Sequence, residues 1–191
     1  MPRPSPIIAL DAMGGDAAPE IVVRGAGIAR ERFPDVRFLM YGGGEAVADL
    51  VAADAALAEQ TELREAPTVI SPEAKASQAL RSGRDSSMWR ALDAVKRGEA
   101  AAAVSAGNTG ALMAISKFVL RMPVGVSRPA LASIMPTATG ENVTLDLGAH
   151  RAQERNGEFF FLARDAITQK LHGEAALHRL SKLDVQSAPV V

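Results

Sequence analysis

The sequence of 191 residues contains no cysteine. That excludes a disulfide framework, a thiolate metal site and a cysteine nucleophile. Histidine is almost as scarce: His150, His172 and His178 have no metal-ligand spacing, and no HExxH helix occurs. Aromatic residues make up 4% of the chain, so the lone Trp89 and Tyr41 read as packing residues. No run of eighteen apolar residues is present, which predicts no membrane-spanning helix. The opening MPRPSPIIALDAMGGD lacks the apolar segment and small-residue cleavage site of a secretory signal, so a cytoplasmic location is the default expectation. Neither charge dominates: a net charge of −1 asks for neither nucleic acid nor an acidic membrane. Two loop signatures are missing as well, the Gly-Lys-Ser/Thr end of a Walker A loop and the Gly-x-Ser-x-Gly elbow. GAGIAR at 25–30 lies inside a helical pattern and lacks the last glycine of a dinucleotide fingerprint.

A hydrophobic fraction of 48% supports a proper core, and apolar strand patterns alternate with helical ones. PIIALDA (6–12) and VRFLMYG (36–42) read as buried strands, TELREA as a possible third and AAAVSA (101–106) as another. PALASIM and NVTLDLG complete the set. A first helix follows Pro19, with Ile21, Val22, Gly25, Ile28 and Ala29 on one face; EAVADLVAADAALAEQ reads as a second. TVISPEAKASQALRSGRDSSM reads as a long polar loop. Helix signals return at Asp85 and Ser86, with Met88, Ala91, Leu92 and Val95 on one stripe and Gly98 as the stop. TGALMAISKFVL is apolar on nearly every side, which predicts a buried helix. Strands spaced by helices predict an α/β fold, a mostly parallel sheet covered on both faces. After Gly148 the alternation stops, and the remainder reads as two amphipathic helices, around 158–171 and 174–183.

In such a sheet, ligands sit beyond the carboxyl ends of the strands. Three loops there carry unusual residues. DAMGGDAAP places Asp11 at a strand end, then Gly14, Gly15 and Asp16; it is either a plain Gly-Gly turn or the wall of a site. VSAGNTGALM brings Ser105, Asn108 and Thr109 between Gly107 and Gly110, at the start of a helix. The free N–H groups and positive dipole end of that helix suit phosphate, while simple capping by Asn108 or Thr109 accounts for the same residues. KASQALRSGRDSSM carries Lys75, Arg81 and Arg84, either a solvated face or cations that neutralise an anion.

IALDAMGGDAAPEIVVRGA, KASQALRSGRDSSMWRAL, VSAGNTGALMA, GVSRPALA with MPTATGE, and LDLGA resemble, in this order, the bacterial phosphate acyltransferases of fatty acid and phospholipid synthesis, the PlsX family. The resemblance covers about residues 6–149 and implies an enzyme that moves a long-chain acyl group from acyl carrier protein to inorganic phosphate, without a cofactor or metal. The acyl phosphate then serves glycerol-3-phosphate acylation by a downstream acyltransferase. It also implies a three-layer α/β/α sandwich like that of isocitrate and isopropylmalate dehydrogenases, a homodimer, and a cytosolic protein associated peripherally with membrane. Carried onto this chain, Ser105, Gly107, Asn108, Thr109 and Gly110 would hold phosphate or the oxyanion. Lys75, Arg81 and Arg128 would supply charge, and Asp11, Gly14, Gly15 and Asp16 would shape the wall. Of these, Asn108, Thr109 and Lys75 are the expected catalytic residues.

LDLGAN in the family reads LDLGAH here, with His150 in place of Asn, and the family pattern stops. Residues 1–149 are thus expected to be the N-terminal part of the family domain and 150–191 a helical tail from outside it. A shifted frame, a truncation or a diverged short relative would each give such a chain, and the first two are favoured. The alternatives in function are a non-catalytic remnant that dimerises or docks a partner, and a phosphotransacetylase-like enzyme acting on acyl-coenzyme A.

Overall fold

A computed structural model describes residues 5–122, 132–137, 140–145, 158–159 and 171–172. Residues up to Leu120 form one compact unit, and the described residues from Arg121 to His172 belong to a second. The first unit is built on four parallel strands, β1 (Ile7–Asp11), β2 (Arg37–Gly42), β3 (Thr61–Glu65) and β4 (Ala102–Val104), in the order β3-β2-β1-β4.

Alternation along these strands supplies two cores. Ala9, Leu39, Tyr41 and Ala103 face one side, beneath α4 (Ala76–Ser82), α5 (Ser87–Lys96) and α6 (Thr109–Leu120). Leu10, Phe38 and Met40 face the other, beneath α1 (Glu20–Arg32), α2 (Glu45–Ala52) and α3 (Ala55–Gln60). The chain runs outward from β1 to β3, then crosses back to β4 on the far side of β1. The strand order therefore reverses between β1 and β4, which is where open α/β sheets hold ligands.

The expected α5 is found. Ser86 caps it, with Oγ accepting from Trp89 N at 3.2 Å; Met88, Ala91, Leu92 and Val95 are buried, and Gly98 leaves the helix at φ 75°. Full burial of a side chain such as Leu92 contributes roughly 1.5–3 kcal/mol.

Several elements differ from expectation. The stripe on α1 is rotated: Val23 and Ala26 are buried, with Val22 and Ala29 against them, whereas Ile21 and Ile28 are 50% and 44% exposed. The second helix is two, because Asp54 restarts the chain by accepting from Ala56 N and Leu57 N at 3.1 and 3.0 Å. The polar loop contains α4, a short helix whose Ala79 and Leu80 pack on the core. Within α6, Phe118 is 58% exposed, although its ring meets that of Trp89 at 5.7 Å.

In the second unit, β5 (Ala132–Thr137) and β6 (Gly140–Leu145) pair antiparallel in a sheet of their own rather than extending the parallel one. Only residues 138 and 139 separate them, a connection too short for a parallel crossover. Helix is expected around 158–171; at its ends Glu158–Phe159 and Leu171–His172 instead pair as two antiparallel strands, and residues 160–170 lie outside the described residues. The expected helix at 174–183 and the expected boundary at 149/150 lie outside the described residues.

Candidate functional site

The carboxyl ends of β1 and β4 are joined by side chains. Asp11, only 1% exposed, closes β1, and its Oδ2 accepts the Ser105 hydroxyl at 2.6 Å. Its Oδ1 accepts from Met13 N at 3.3 Å. Ser105 Oγ in turn accepts from Gly107 N at 3.1 Å. A hydroxyl has one proton, and that of Ser105 is committed to Asp11.

The two glycine loops interlock over this pair. A Cβ on Gly14 would lie 2.5 Å from Asp11 Oδ2 and 2.9 Å from both Gly107 N and Ser105 Oγ, so only hydrogen fits. Gly15, at φ 107°, lies against the backbone and Cβ of Ala106. Asp16 is exposed at the rim.

Asn108 heads α6. Its Oδ1 accepts from Ala111 N at 2.9 Å, the capping geometry. Its Nδ2 donates outward to the segment before α4, 2.5 Å from the Pro72 carbonyl and 3.1 Å from that of Ala74. Capping and a ligand loop were alternatives for VSAGNTGALM; the Asn108 side chain does the first. Among the described residues, no acceptor meets the N–H groups of Asn108, Thr109 and Gly110. Thr109 and Gly110 are exposed. The site therefore offers a cluster of main-chain donors on the positive end of a twelve-residue helix, with the Thr109 hydroxyl among them.

A cleft of about 180 Å3 opens at the turn that leads into this helix, lined by Met13, Gly15, Asp16, Val69, Ile70, Pro72, Ala106 and Gly107. A broader hollow of about 440 Å3 lies elsewhere, at the ends of β2 and β3 between Gly44, Glu45, Leu63 and Arg64. None of the expected site residues lines it.

Lys75 precedes α4 as its N-cap and Arg81 lies in its last turn; the helix packs against α6. Both are exposed, as is Arg84, and no described carboxylate pairs with any of the three. The structure thus brings Asp11, Gly14, Gly15, Ser105, Gly107 and Asn108 into one cluster and sets Thr109, Gly110, Asp16 and Lys75 around it. Arg128 lies outside the described residues. The carbonyls of Pro72 and Ala74 belong to the cluster too, although the sequence pointed only to the cations beyond them.

Charge is balanced away from the site. Arg64 donates to Glu62 at 2.8 Å and to Glu99 at 2.5 Å, and Arg97 also grips Glu99 at 2.7 Å. Hydrogen bonds to Arg97 first and Arg64 second hold the Glu99 carboxyl below its usual range. The same bonds raise both guanidinium groups, with Glu62 the larger cause at Arg64.

Residues 7–156 match the family described as Fatty acid synthesis protein. Curated relatives named phosphate acyltransferase include that of Rhodospirillum rubrum, 54% identical over 144 residues, 75% of this chain and 41% of the relative. That of Rhodospirillum centenum is 56% identical over 143 residues, 75% of this chain and 40% of the relative. That of Parvibaculum lavamentivorans is likewise 56% identical over 143 residues, 74% of this chain and 40% of the relative. The chain spans about two fifths of the length of these relatives.

Proposed function

Because this chain belongs to the fatty acid synthesis protein family, we propose that it serves acyl phosphate formation, with inorganic phosphate bound at the start of α6. The observation that carries the reading is the set of unclaimed N–H groups at Asn108, Thr109 and Gly110, placed where the strand order reverses. Phosphate is an anion near neutral pH and needs no protein nucleophile. One of its oxygens attacks the carbonyl carbon of an acyl thioester carried by acyl carrier protein. The C–O bond forms, the carbonyl oxygen takes up charge, and collapse expels the thiolate, which takes a proton to leave the free carrier thiol. The chain's part is to fix the anion and stabilise that oxygen. Lys75, Arg81 and Arg128 contribute positive charge, and Thr109 a hydroxyl donor. The acyl phosphate would pass to glycerol-3-phosphate acylation; a homodimer, peripheral contact with membrane and a cytoplasmic setting belong to the same proposal. On this reading residues 1–149 are the catalytic family part and 150–191 a separate tail.

Position 109 offers a test of the two donors it carries, the N–H and the hydroxyl, which proline removes together. It is the first helical residue, where proline is tolerated but brings no N–H. Phosphate should raise the unfolding temperature of the wild-type chain, and Thr109→Pro should weaken that binding by about tenfold or more, as a lost hydrogen bond to a charged group implies. Equal phosphate binding by both proteins rejects the site. Binding without acyl phosphate production from carrier-protein thioester would favour the non-catalytic reading, which the partial coverage of the relatives keeps open.

A further inference from the structure

A single side chain ties together parts of the site that the chain keeps far apart. Both ends of the Asn108 amide are occupied. Oδ1 takes the Ala111 N–H, and Nδ2 faces the carbonyls of Pro72 and Ala74, with that of Ser71 at 3.5 Å. An amide nitrogen carries two protons, so none is left for a bound anion. Among the described residues, the segment it holds, residues 71–74, is otherwise attached only near its ends. Thr68 bridges to Ser86 and accepts from Ser87 N at 3.2 Å, and the first turn of α4 closes onto Lys75 O. Between those points Ser71, Pro72 and Glu73 are exposed. Lys75 follows directly, and Ile70 and Pro72 form one wall of the cleft beside α6.

We propose that Asn108 is a positioning residue: it latches the 71–74 segment onto the first turn of α6 and so sets where Lys75 and the Ile70–Pro72 wall stand relative to the anion-binding N–H groups. The inference rests on the proposed phosphate site for its consequence in binding, and on the hydrogen bonds alone for its mechanical part. A lysine on an unlatched segment must be ordered when the anion arrives, and that entropy opposes binding. Held in advance, the same charge acts at once. Linkage makes the effect reciprocal: an anion touching both α6 and Lys75 should quiet the segment.

The test separates the cap from the latch. Asn108→Ser keeps a capping oxygen for α6 but is too short to reach residues 71–74. Asn108→Asp keeps the size and the cap while removing both donors, and serves where the first variant folds poorly. In either variant, hydrogen exchange at the amides of Ala74, Gln78 and Ala79 should rise by about tenfold, as for local opening, with other amides near wild type. Phosphate affinity, measured by calorimetry in Asn108→Ser, should fall several-fold; the carboxylate of Asn108→Asp opposes the anion by its own charge, so that variant is read by exchange alone. Lys75→Ala should weaken binding in the wild type but add little in the Asn108→Ser background, because the latch works through that lysine. Wild-type exchange rates in both variants, or full additivity with Lys75→Ala, overturn the latch. Should the wild-type chain bind no phosphate, the proposed anion site fails, and the exchange rates alone then decide whether Asn108 holds the segment.

Discussion

Ser105 Oγ stands 2.6 Å from Asp11 Oδ2, bridging positions 94 residues apart and joining the ends of the two strands between which the sheet reverses. The bond is formed beneath Gly14, where Asp11 is shut off from water. A buried carboxylate deprived of a donor retains its desolvation cost, which makes this hydroxyl worth more than its own net hydrogen bond.

Ser105→Ala should therefore lower stability by about 1–3 kcal/mol, the cost of leaving a buried polar group unsatisfied. Gly107 N also loses its acceptor. Urea unfolding of both proteins measures the difference, and matching midpoints would show that water or Met13 N suffices for Asp11.

The glycines of the site divide into those that are wedged and those that are free. At Gly14 a methyl would meet a carboxylate oxygen at 2.5 Å and a backbone nitrogen at 2.9 Å, neither of which can retreat. Gly14→Ala should cost about 1–3 kcal/mol as an overpacked position and should weaken phosphate binding by shifting the loop against Gly107. Gly110 meets only Asn108 Oδ1, at 3.4 Å, from within the first turn of α6. Gly110→Ala should raise stability by about 0.5–1 kcal/mol through helix propensity. Thermal unfolding of the pair checks both signs, and a loss at position 110 would mean that the added methyl disturbs the cap.

What the sequence showed and what it hid follow from range. The α5 stripe at Met88, Ala91, Leu92 and Val95, its serine cap and its glycine stop are local signals, and all stand in the structure. Three of the parallel strands, β1, β2 and β4, were legible for the same reason, as short apolar runs between helical patterns, whereas polar β3 (TELRE) read only as a possible strand. On α1 the residues are apolar on two sides, so periodicity could not tell that Val23 and Ala26 rather than Ile21 and Ile28 face the sheet. The α4 helix hid because its core contact is little more than Ala79 and Leu80 in a polar surround. The antiparallel pairing of β5 and β6 stayed hidden because PALASIM and NVTLDLG read as strands six residues apart, whereas in the structure they extend toward each other to Thr137 and Gly140, leaving a two-residue connection. The site was legible as a set of loops but not as a wiring diagram. Nothing local to Asn108 says that its amide meets carbonyls 34 and 36 residues earlier, nor that the Ser105 proton goes to Asp11.

Arg121 follows α6 with φ 64°, a left-handed conformation in a residue that carries a Cβ. Glycine reaches that region without the steric cost, and helices commonly end in this way. Arg121→Gly should raise stability by about 0.5–1 kcal/mol, less than the full penalty because the unfolded chain gains freedom too. A measured loss would place the Arg121 side chain in a contact that outweighs its backbone.

The network at Glu99 gives the folded chain an acid-sensitive component whose sign can be worked out. Arg97 and Arg64 hold the Glu99 carboxyl below its usual value, so the folded state binds its proton less readily than the unfolded chain does. Stability from this group is present above the ordinary carboxylate range and is lost as pH falls through the lowered folded value. The raised guanidinium groups stay charged across that interval and add no slope there. Glu99→Gln removes the titrating group while keeping hydrogen-bonding capacity. The melting temperature of wild type should exceed that of Glu99→Gln near neutrality, and the two curves should converge as the solution is acidified below the usual carboxylate range. Because Glu99 is solvent-facing, high salt should narrow the gap at neutral pH. A gap that persists unchanged from neutral to acid pH would mean that the ion pairs contribute nothing through charge, and that the side chain matters only by its shape.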